Sequence, residues 1–421
     1  MNTLCRMGSW LAPGLALWLG LSPQALRALP QQVGTGQVFA DGRDFTGDFI
    51  AAANWDGDSL PGRWRVISET GDVSLARMEA VPVLFGREPI EVTASYRGGR
   101  LESISVLYLE AGAYFGYQSR LKETSEGRAE LRRQQREFEK RYGEISAAVG
   151  ESLREVFDQP GQFTTSGRTT ALREALTVFE QEPLRVEYRA LENQFVRVDL
   201  RRAEDAFEGY LDPRFAKMDR RERRAWAEAN VRREPDGDVL ISGVPLVPQG
   251  RDAYCGIHSF AMISRYFGLR LDASSLAAGA GFRQGIGGDR ILEVYQAAAK
   301  EAGLRMSRAG KFDFERAVKG LDEGYPVLVW RRFDSERDRL HTGFARRYAA
   351  NPRLTLPIAD GKERGTWPGD GHPSHSSVIT GYNRKRGEVI FTEPWGEHTR
   401  DRRMRIEEME SSSYGVFYFK I

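Results

Sequence analysis

One short segment constrains this chain more than any other. Residues 244–259 read VPLVPQGRDAYCGIHS and contain Gln249 and Cys255. Apolar side chains recur after the cysteine at spacings of three and four, which predicts an amphipathic helix that begins at Cys255 and ends before Gly268. A helix N-terminus has unpaired N–H groups and the positive end of the macrodipole. Such a position favours a thiolate, which is the nucleophilic form of cysteine.

The first 28 residues have the features of an export signal. Arg6 precedes an apolar run at residues 10–21, and small residues follow at Ala25 and Ala28. The apolar run is short for a bilayer span, although an uncleaved anchor is the alternative interpretation. We predict a signal peptide at residues 1–28, export to the periplasm or the extracellular space, and no stable membrane insertion after its removal.

Removal of that signal changes the charge and the cysteine count. The formal net charge of the whole chain is +2, and Arg6 and Arg27 are the only charges of the signal, so the mature chain is neutral. A neutral chain gives no electrostatic reason to expect nucleic acid or an anionic membrane as partner. Cys5 lies in the signal, so Cys255 would be the only cysteine left. A lone thiol forms no internal disulfide and is either a buried structural residue or a reactive group.

A chain of 421 residues predicts more than one domain. Alternation on both sides of the turn at residues 97–100 predicts a hairpin, a charged helical pattern covers residues 119–157, and a second hairpin is expected at residues 184–200. Trp55 and Trp64 are expected in the hydrophobic core of the domain that these elements form. Residues 29–211 therefore read as an α+β domain. Residues 29–210 contain no histidine or cysteine, so we expect recognition, scaffolding or a removable pro-segment rather than catalysis.

Residues 212–238 are highly charged and predict a linker helix at a domain boundary. A basic nucleic-acid patch is the alternative, but Glu222, Glu228 and Glu234 dilute it. Residues 239–421 predict helices first, with Asp289 as the expected N-cap of the helix at 290–302, and strands after them at 324–330, 376–382, 388–392 and 415–421. The long stretch at 331–373 has little periodicity, so we expect it to cover the substrate site, with a plain exposed insertion as the alternative.

Four pieces of this second domain carry a resemblance: PQGRDAYCG at 248–256, GYPVLVW at 324–330, HSSVITGY at 375–382 and FTEPWG at 391–396. In order and spacing they resemble the papain-like cysteine peptidases, and within them the bacteriocin-processing (double-glycine leader) peptidase group. The resemblance begins near residue 239 and does not extend to the N-terminal domain. It implies a papain-like fold, with a helical half and an antiparallel sheet half.

The resemblance also implies the site residues. Cys255 would be the nucleophile that forms a thioester, and His375 would be the general base. Gln249 would help to form the oxyanion hole with the backbone N–H of Cys255. The family usually has Asp or Asn before the proline, whereas this chain has Glu393. Glu393 is expected to accept from the Nδ1–H of the imidazole, with Asn383 as the second candidate.

These observations predict an exported cysteine peptidase that acts on a peptide or protein substrate. Two alternatives stay open: a thiol amidase or acyltransferase on another substrate, and a papain-like binding module without catalysis. The other histidines are expected to be structural or surface residues, although His258 could face the thiol. His372 and His375 have a spacing that could ligate metal, but no carboxylate cluster supports it, so we expect no metal and no cofactor.

Overall fold

The computed structural model describes residues 32–36, 38–39, 42–51, 60–70, 73–116, 124–207, 209–283 and 287–421. Its helices lie beside two large antiparallel sheets, which confirms the α+β class. The expected signal peptide at 1–28 and Trp55 lie outside the described residues. Among the described helices, none combines the length and the apolar character that crossing a membrane requires.

The first sheet has nine strands in the spatial order β1-β2-β3-β4-β5-β9-β8-β7-β6. The strands are β1 Gln32–Val33, β2 Trp64–Thr70, β3 Val73–Met78, β4 Glu91–Arg97, β5 Arg100–Glu110, β6 Gln162–Ser166, β7 Glu174–Gln181, β8 Leu184–Leu191 and β9 Phe195–Arg202. The described residues add the helices α1 Thr46–Ala51, α2 Ala111–Phe115 and α3 Ser125–Phe157. Both predicted hairpins are confirmed, as β4–β5 and β8–β9.

Helix α3 is unbroken over 33 residues despite its internal glycines, because its apolar stripe packs on the sheet. Phe138, Val149 and Leu153 from this stripe are fully buried. Trp64 is fully buried in the same core, as expected. Tertiary burial therefore outweighs the low helix propensity of glycine.

The second sheet runs β10-β11-β14-β13-β17-β12, and β15 pairs with both β14 and β16. Its strands are β10 Val231–Arg233, β11 Asp238–Ile241, β12 Arg305–Ala309, β13 Val327–Arg332, β14 Ser374–Asn383, β15 Glu388–Thr392, β16 Arg402–Arg405 and β17 Ser413–Lys420. Its helices are α4 Pro213–Lys217, α5 Arg220–Ala229, α6 Cys255–Tyr266, α7 Ala273–Gly279, α8 Ile291–Glu301, α9 Phe314–Asp322, α10 Ser335–Ala350, α11 Gly361–Arg364 and α12 Ile406–Ser412.

Three expectations need correction. The charged segment at 212–238 forms α4 and α5 and then adds strand β10 to the second sheet, so it is more than a linker helix. The stretch at 331–373 contains α10 and α11, because Asp334 and Asp360 cap two helices that the weak apolar pattern does not reveal. Helix α8 starts at Ile291 after Arg290 in the N-cap position, so Asp289 does not cap it.

The two sheets have separate cores, which supports the division at 212–238, and this division stays a prediction.

Helix α6 lies against the second sheet and brings the cysteine to it. Ile257, Phe260 and Ile263 of this helix are buried with Val378 of β14 in one hydrophobic core. Burial of such side chains contributes roughly 1.5–3 kcal/mol each. The apolar spacing read from the sequence is therefore the face that fixes α6 on the sheet.

Candidate active site

Cys255 is the first residue of α6, as the sequence predicts. The preceding Tyr254 has a non-helical backbone, and its side chain does not cap the helix. The N–H groups of the first turn therefore favour a negative charge at the thiol. Cys255 is partly accessible to solvent, so a substrate could reach it.

His375 lies near the start of β14, and its side chain hydrogen-bonds the Cys255 thiol. The helix and the strand are held together here, because the Ser259 hydroxyl donates to the carbonyl of Ser376 at 3.0 Å, across 117 positions of sequence. Packing of α6 on β14 thus joins two motifs that are distant in the chain.

Glu393 follows β15, and its Oε2 lies 2.6 Å from Nε2 of His375. The expectation that Glu393 binds Nδ1 is wrong, because the ring presents Nε2 to the carboxylate. Asn383, the second candidate, is also wrong for this role. It bonds Asp238 at 2.7 Å, and eight strand residues at about 3.3 Å each separate it from His375.

The second carboxylate oxygen of Glu393 has its own donors. Oε1 accepts from Nη2 of Arg331 at 2.6 Å and from the Ser377 hydroxyl at 2.8 Å. Nη1 of Arg402 lies 3.8 Å away, and Glu393 is fully buried. The longer glutamate side chain is therefore fixed by donors at both oxygens. Asp338 of α10 lies 2.6 Å from Arg402 and offsets part of the arginine charge.

These contacts set the protonation states. Burial raises the pKa of Glu393, but the charges of His375 and Arg331 outweigh it and hold that pKa well below its usual range. Burial lowers the pKa of His375, but the Glu393 charge and the hydrogen bonds to Cys255 and Glu393 raise it to about 9. Burial raises the pKa of Cys255, but the His375 hydrogen bond and charge give a net lowering. The arrangement favours a thiolate beside an imidazolium.

Two aromatic rings enclose the imidazole. The Trp395 ring lies 4.4 Å from the His375 ring, centroid to centroid, with 31° between their planes. Phe333 lies 5.5 Å from His375 and 5.6 Å from Trp395. They cover the ring with apolar surface, which strengthens the electrostatic contacts beneath it.

Gln249 lies in the loop that leads to Cys255. Its backbone N–H donates to the carbonyl of Pro394 at 2.6 Å, which ties this loop to the segment after Glu393. Its side-chain Nε2 donates to the carbonyl of Asp252, and the buried Oε1 has no partner among the described residues. A primary amide has two N–H donors, so one donor is left after the Asp252 bond.

The remaining histidines are separate from this cluster. His258 of α6 is buried and binds Asp252, with 2.9 Å between Nε2 and Oδ2. His341 lies 3.3 Å from Glu408 in the α10 region, and His398 lies in a short helical turn. His372 is exposed, and its Nδ1 accepts from the Gly369 N–H at 3.1 Å.

Sequence reasoning missed Arg331, Ser377 and the two rings. Ser377 had a usable signal, because residues two apart share a face of a strand and Ser377 follows His375 by two. Trp395 stands within the FTEPWG motif, but its stacking on His375 had no sequence signal. Arg331 had none, since 62 positions separate it from Glu393.

Comparison with known proteins finds similarity for the second domain. The family model described as Peptidase_C39 like family matches residues 241–419. A solved structure described as a C39-like peptidase from Bacillus anthracis is 16% identical, covering 44% of this chain and 98% of its own, with a TM-score of 0.30. No curated protein matches the chain. The family match spans Cys255, His375 and Glu393, so residues 241–419 are similar to the Peptidase_C39 like family.

Proposed function

We propose that this protein is a cysteine peptidase that hydrolyses peptide bonds through a thioester at Cys255. The observation that carries the proposal is the continuous chain of contacts from Cys255 through His375 to Glu393. Nucleophile, base and orienting carboxylate in this order form the arrangement that activates a thiol.

The chemistry follows from these positions. The Cys255 thiolate attacks the peptide carbonyl carbon, and the tetrahedral oxyanion is stabilised by the Cys255 backbone N–H and the free N–H of the Gln249 amide. Protonated His375 gives its proton to the leaving amine, and the carbon–nitrogen bond breaks. Neutral His375 then takes a proton from water as the water oxygen attacks the thioester carbon. The carbon–sulfur bond breaks, the carboxylic acid product leaves, and the Cys255 thiolate beside protonated His375 is regenerated. Loss of one oxyanion donor costs about 3–4 kcal/mol of transition-state stabilisation in comparable enzymes.

Glu393 holds His375 through Nε2, so Nδ1 is the ring nitrogen left for the thiol. The carboxylate also favours the imidazolium that forms during the reaction. Arg331 and Ser377 keep Glu393 ionised and in place. These contacts support a glutamate as the orienting residue at this position.

The first test needs no known substrate. In a Cys5→Ser background, the iodoacetamide rate at Cys255 would be measured from pH 5 to 10 by peptide mass spectrometry. We expect a fast rate well below the ordinary thiol pKa of about 8.5, and a drop in His375→Ala. His372→Ala is the matched control, because this exposed histidine lies three positions away and touches none of the cluster. A slow rate that is the same in all variants would refute the proposal.

A panel of peptides, cell-wall peptides and acyl acceptors would then separate a peptidase from an amidase or acyltransferase. The proposal favours a peptide or protein substrate, and the neutral mature chain gives no reason to expect nucleic acid. We also propose export, which the positive and apolar pattern of residues 1–28 supports. N-terminal sequencing of protein from the periplasm or medium would test it, with cleavage expected near Ala28.

A further inference from the structure

The junction between β5 and α2 of the first sheet lies against the loop that leads to Cys255. A Cβ atom added at Gly112 of α2 would overlap Oδ1 of Asp252 and would lie 2.6 Å from the ring of Tyr254. Tyr254 is the residue directly before the cysteine helix. Glycine at this position therefore permits the first sheet to rest directly on the loop.

A buried chain of polar groups crosses this contact. Glu110 ends β5 with its carboxyl group facing that of Asp252, and Asp252 in turn binds His258 of α6 at 2.9 Å. All three side chains are more than nine-tenths buried. Oδ1 of Asp252 meets no N–H donor in the described part of the chain, so the proton of the Glu110 carboxyl is the donor available to it.

The surroundings favour that shared proton. Burial raises the pKa of Glu110 well above its usual range, and the charges of Asp252 and Glu91 raise it further, while His258 acts in the opposite direction. Burial also raises the pKa of Asp252, to about 6. Two ionised carboxylates here would repel each other, so one of them favours its protonated form.

The same loop contains Gln249, whose side-chain amide is the proposed hydrogen-bond donor to the oxyanion. The carbonyl of Asp252 accepts from the Gln249 side chain, so a shift of Asp252 would shift Gln249 as well. Glu110, Gln249, Asp252 and His258 all line a cavity of 780 Å³ between the first sheet and the loop. The loop therefore has space to move into once the carboxyl contact is lost.

The contact is part of a wider attachment. Buried Arg197 of β9 lies 3.0 Å from Asp272, which precedes α7, and donates to the hydroxyl of Ser274 within α7. Arg97 of β4 lies 3.3 Å from Asp212. A removable pro-segment would have to break these ion pairs as well as the contact at Glu110.

We propose that the first sheet is a permanent part of the active site, in which Glu110 and Gly112 position the loop from Gln249 to Cys255. Glu110 is a positioning residue, since it acts through Asp252 and not on the substrate. This inference rests on the proposed function and assigns the N-terminal domain a role in it, in place of the removable pro-segment.

The test compares Glu110→Ala with Glu110→Gln in the full chain. The glutamine amide can donate to Asp252 in place of the carboxyl proton, so it should restore the wild-type loop. We expect Glu110→Ala to speed amide hydrogen exchange in residues 249–255 and to weaken trapping of acetyl-glycyl-glycinal at Cys255 by about 10²-fold, because a displacement of 1 Å can cost that much. Glu110→Gln should stay within about threefold of wild type for both readouts.

Gly112→Ala gives a second, steric route to the same effect. Gly143→Ala is its matched control, because both glycines are helical and a Cβ at Gly143 would meet no atom within 4 Å. We expect loop exchange and aldehyde trapping to change only in Gly112→Ala. If Gly112→Ala fails to fold, the Glu110 pair still decides the question.

Two outcomes separate this proposal from the proposed function. If folded Glu110→Ala is labelled rapidly by iodoacetamide and shows wild-type hydrogen exchange in the loop and wild-type aldehyde trapping, the positioning role of Glu110 is refuted. The proposal of a peptidase would then stand. Slow labelling of wild-type Cys255 that does not depend on His375 would overturn the peptidase. The hydrogen exchange in residues 249–255 would then still show whether Glu110 holds the loop.

Discussion

Two buried carboxylate–histidine pairs flank the cysteine, and they have opposite properties. His375 and Glu393 are 2.6 Å apart, and the pKa of His375 is raised to about 9. His258 and Asp252 are 2.9 Å apart, and burial lowers the pKa of His258 to about 4. One pair favours an imidazolium at neutral pH, and the other favours a neutral ring.

The difference lies in the groups behind each carboxylate. Arg331 and Ser377 donate to Glu393, so it stays ionised and raises the pKa of its histidine. Asp252 has no such donors among the described residues, and burial and the nearby Glu91 charge raise its own pKa to about 6, while Glu110 acts in the opposite direction. A short histidine–carboxylate distance therefore does not identify a base. The charge that surrounds the carboxylate decides whether the pair serves acid–base chemistry or holds a structure.

Substitution of each histidine should produce the largest difference in kcat between the two pairs. His375→Ala removes the proton carrier, and we expect kcat to fall by about 10⁶, as for other nucleophile–base pairs. His258→Asn should lower kcat by no more than about tenfold, since His258 takes no part in the proton transfers and the asparagine amide keeps a donor for Asp252. Steady-state kinetics on the best substrate of the panel would measure both. Equal losses in the two variants would show that the pairs do not differ in function.

Glu393→Gln should produce the next largest change. Loss of the orienting charge lowers kcat by about 10⁴ in comparable triads. Since the Glu393 charge raises the pKa of His375, its removal should move the alkaline limit of peptidase activity from near pH 9 to lower pH. A pH profile of kcat/KM would show the shift, because protonated His375 must supply the leaving amine with its proton. An unchanged alkaline limit would mean that another group sets it.

Arg331→Met should have the smallest of the three effects. The substitution removes the ion pair between Arg331 and buried Glu393. Breaking a buried ion pair costs about 3–5 kcal/mol of unfolding free energy. Chemical denaturation would measure this loss. Arg332→Met is the matched control, because the adjacent arginine is partly exposed and lies 3.4 Å from the fully exposed Asp370. If both variants are equally stable, Arg331 does not support Glu393.

Local patterns predicted much of the fold. The hairpins β4–β5 and β8–β9 and helices α3 and α6 follow from alternation and from three–four spacing, which depend on neighbours in the chain. Helices α10 and α11 were not predicted, because they start at Asp N-caps and contain mostly charged residues without a clear apolar pattern. The ring nitrogen that meets Glu393 was predicted wrongly, since the sequence contains no information on the rotation of an imidazole.

The sequence by itself determined the four motifs, the cysteine at the start of a helix, and the likeness of residues 239–421 to a papain-like domain. Only the tertiary structure decided which groups surround each carboxylate. Arg331 reaches Glu393 across the sheet, and Glu110 reaches Asp252 from another sheet. Such contacts depend on the pairing and packing of distant elements. The chemistry of a buried carboxylate depends in turn on those neighbours, because burial strengthens every nearby charge.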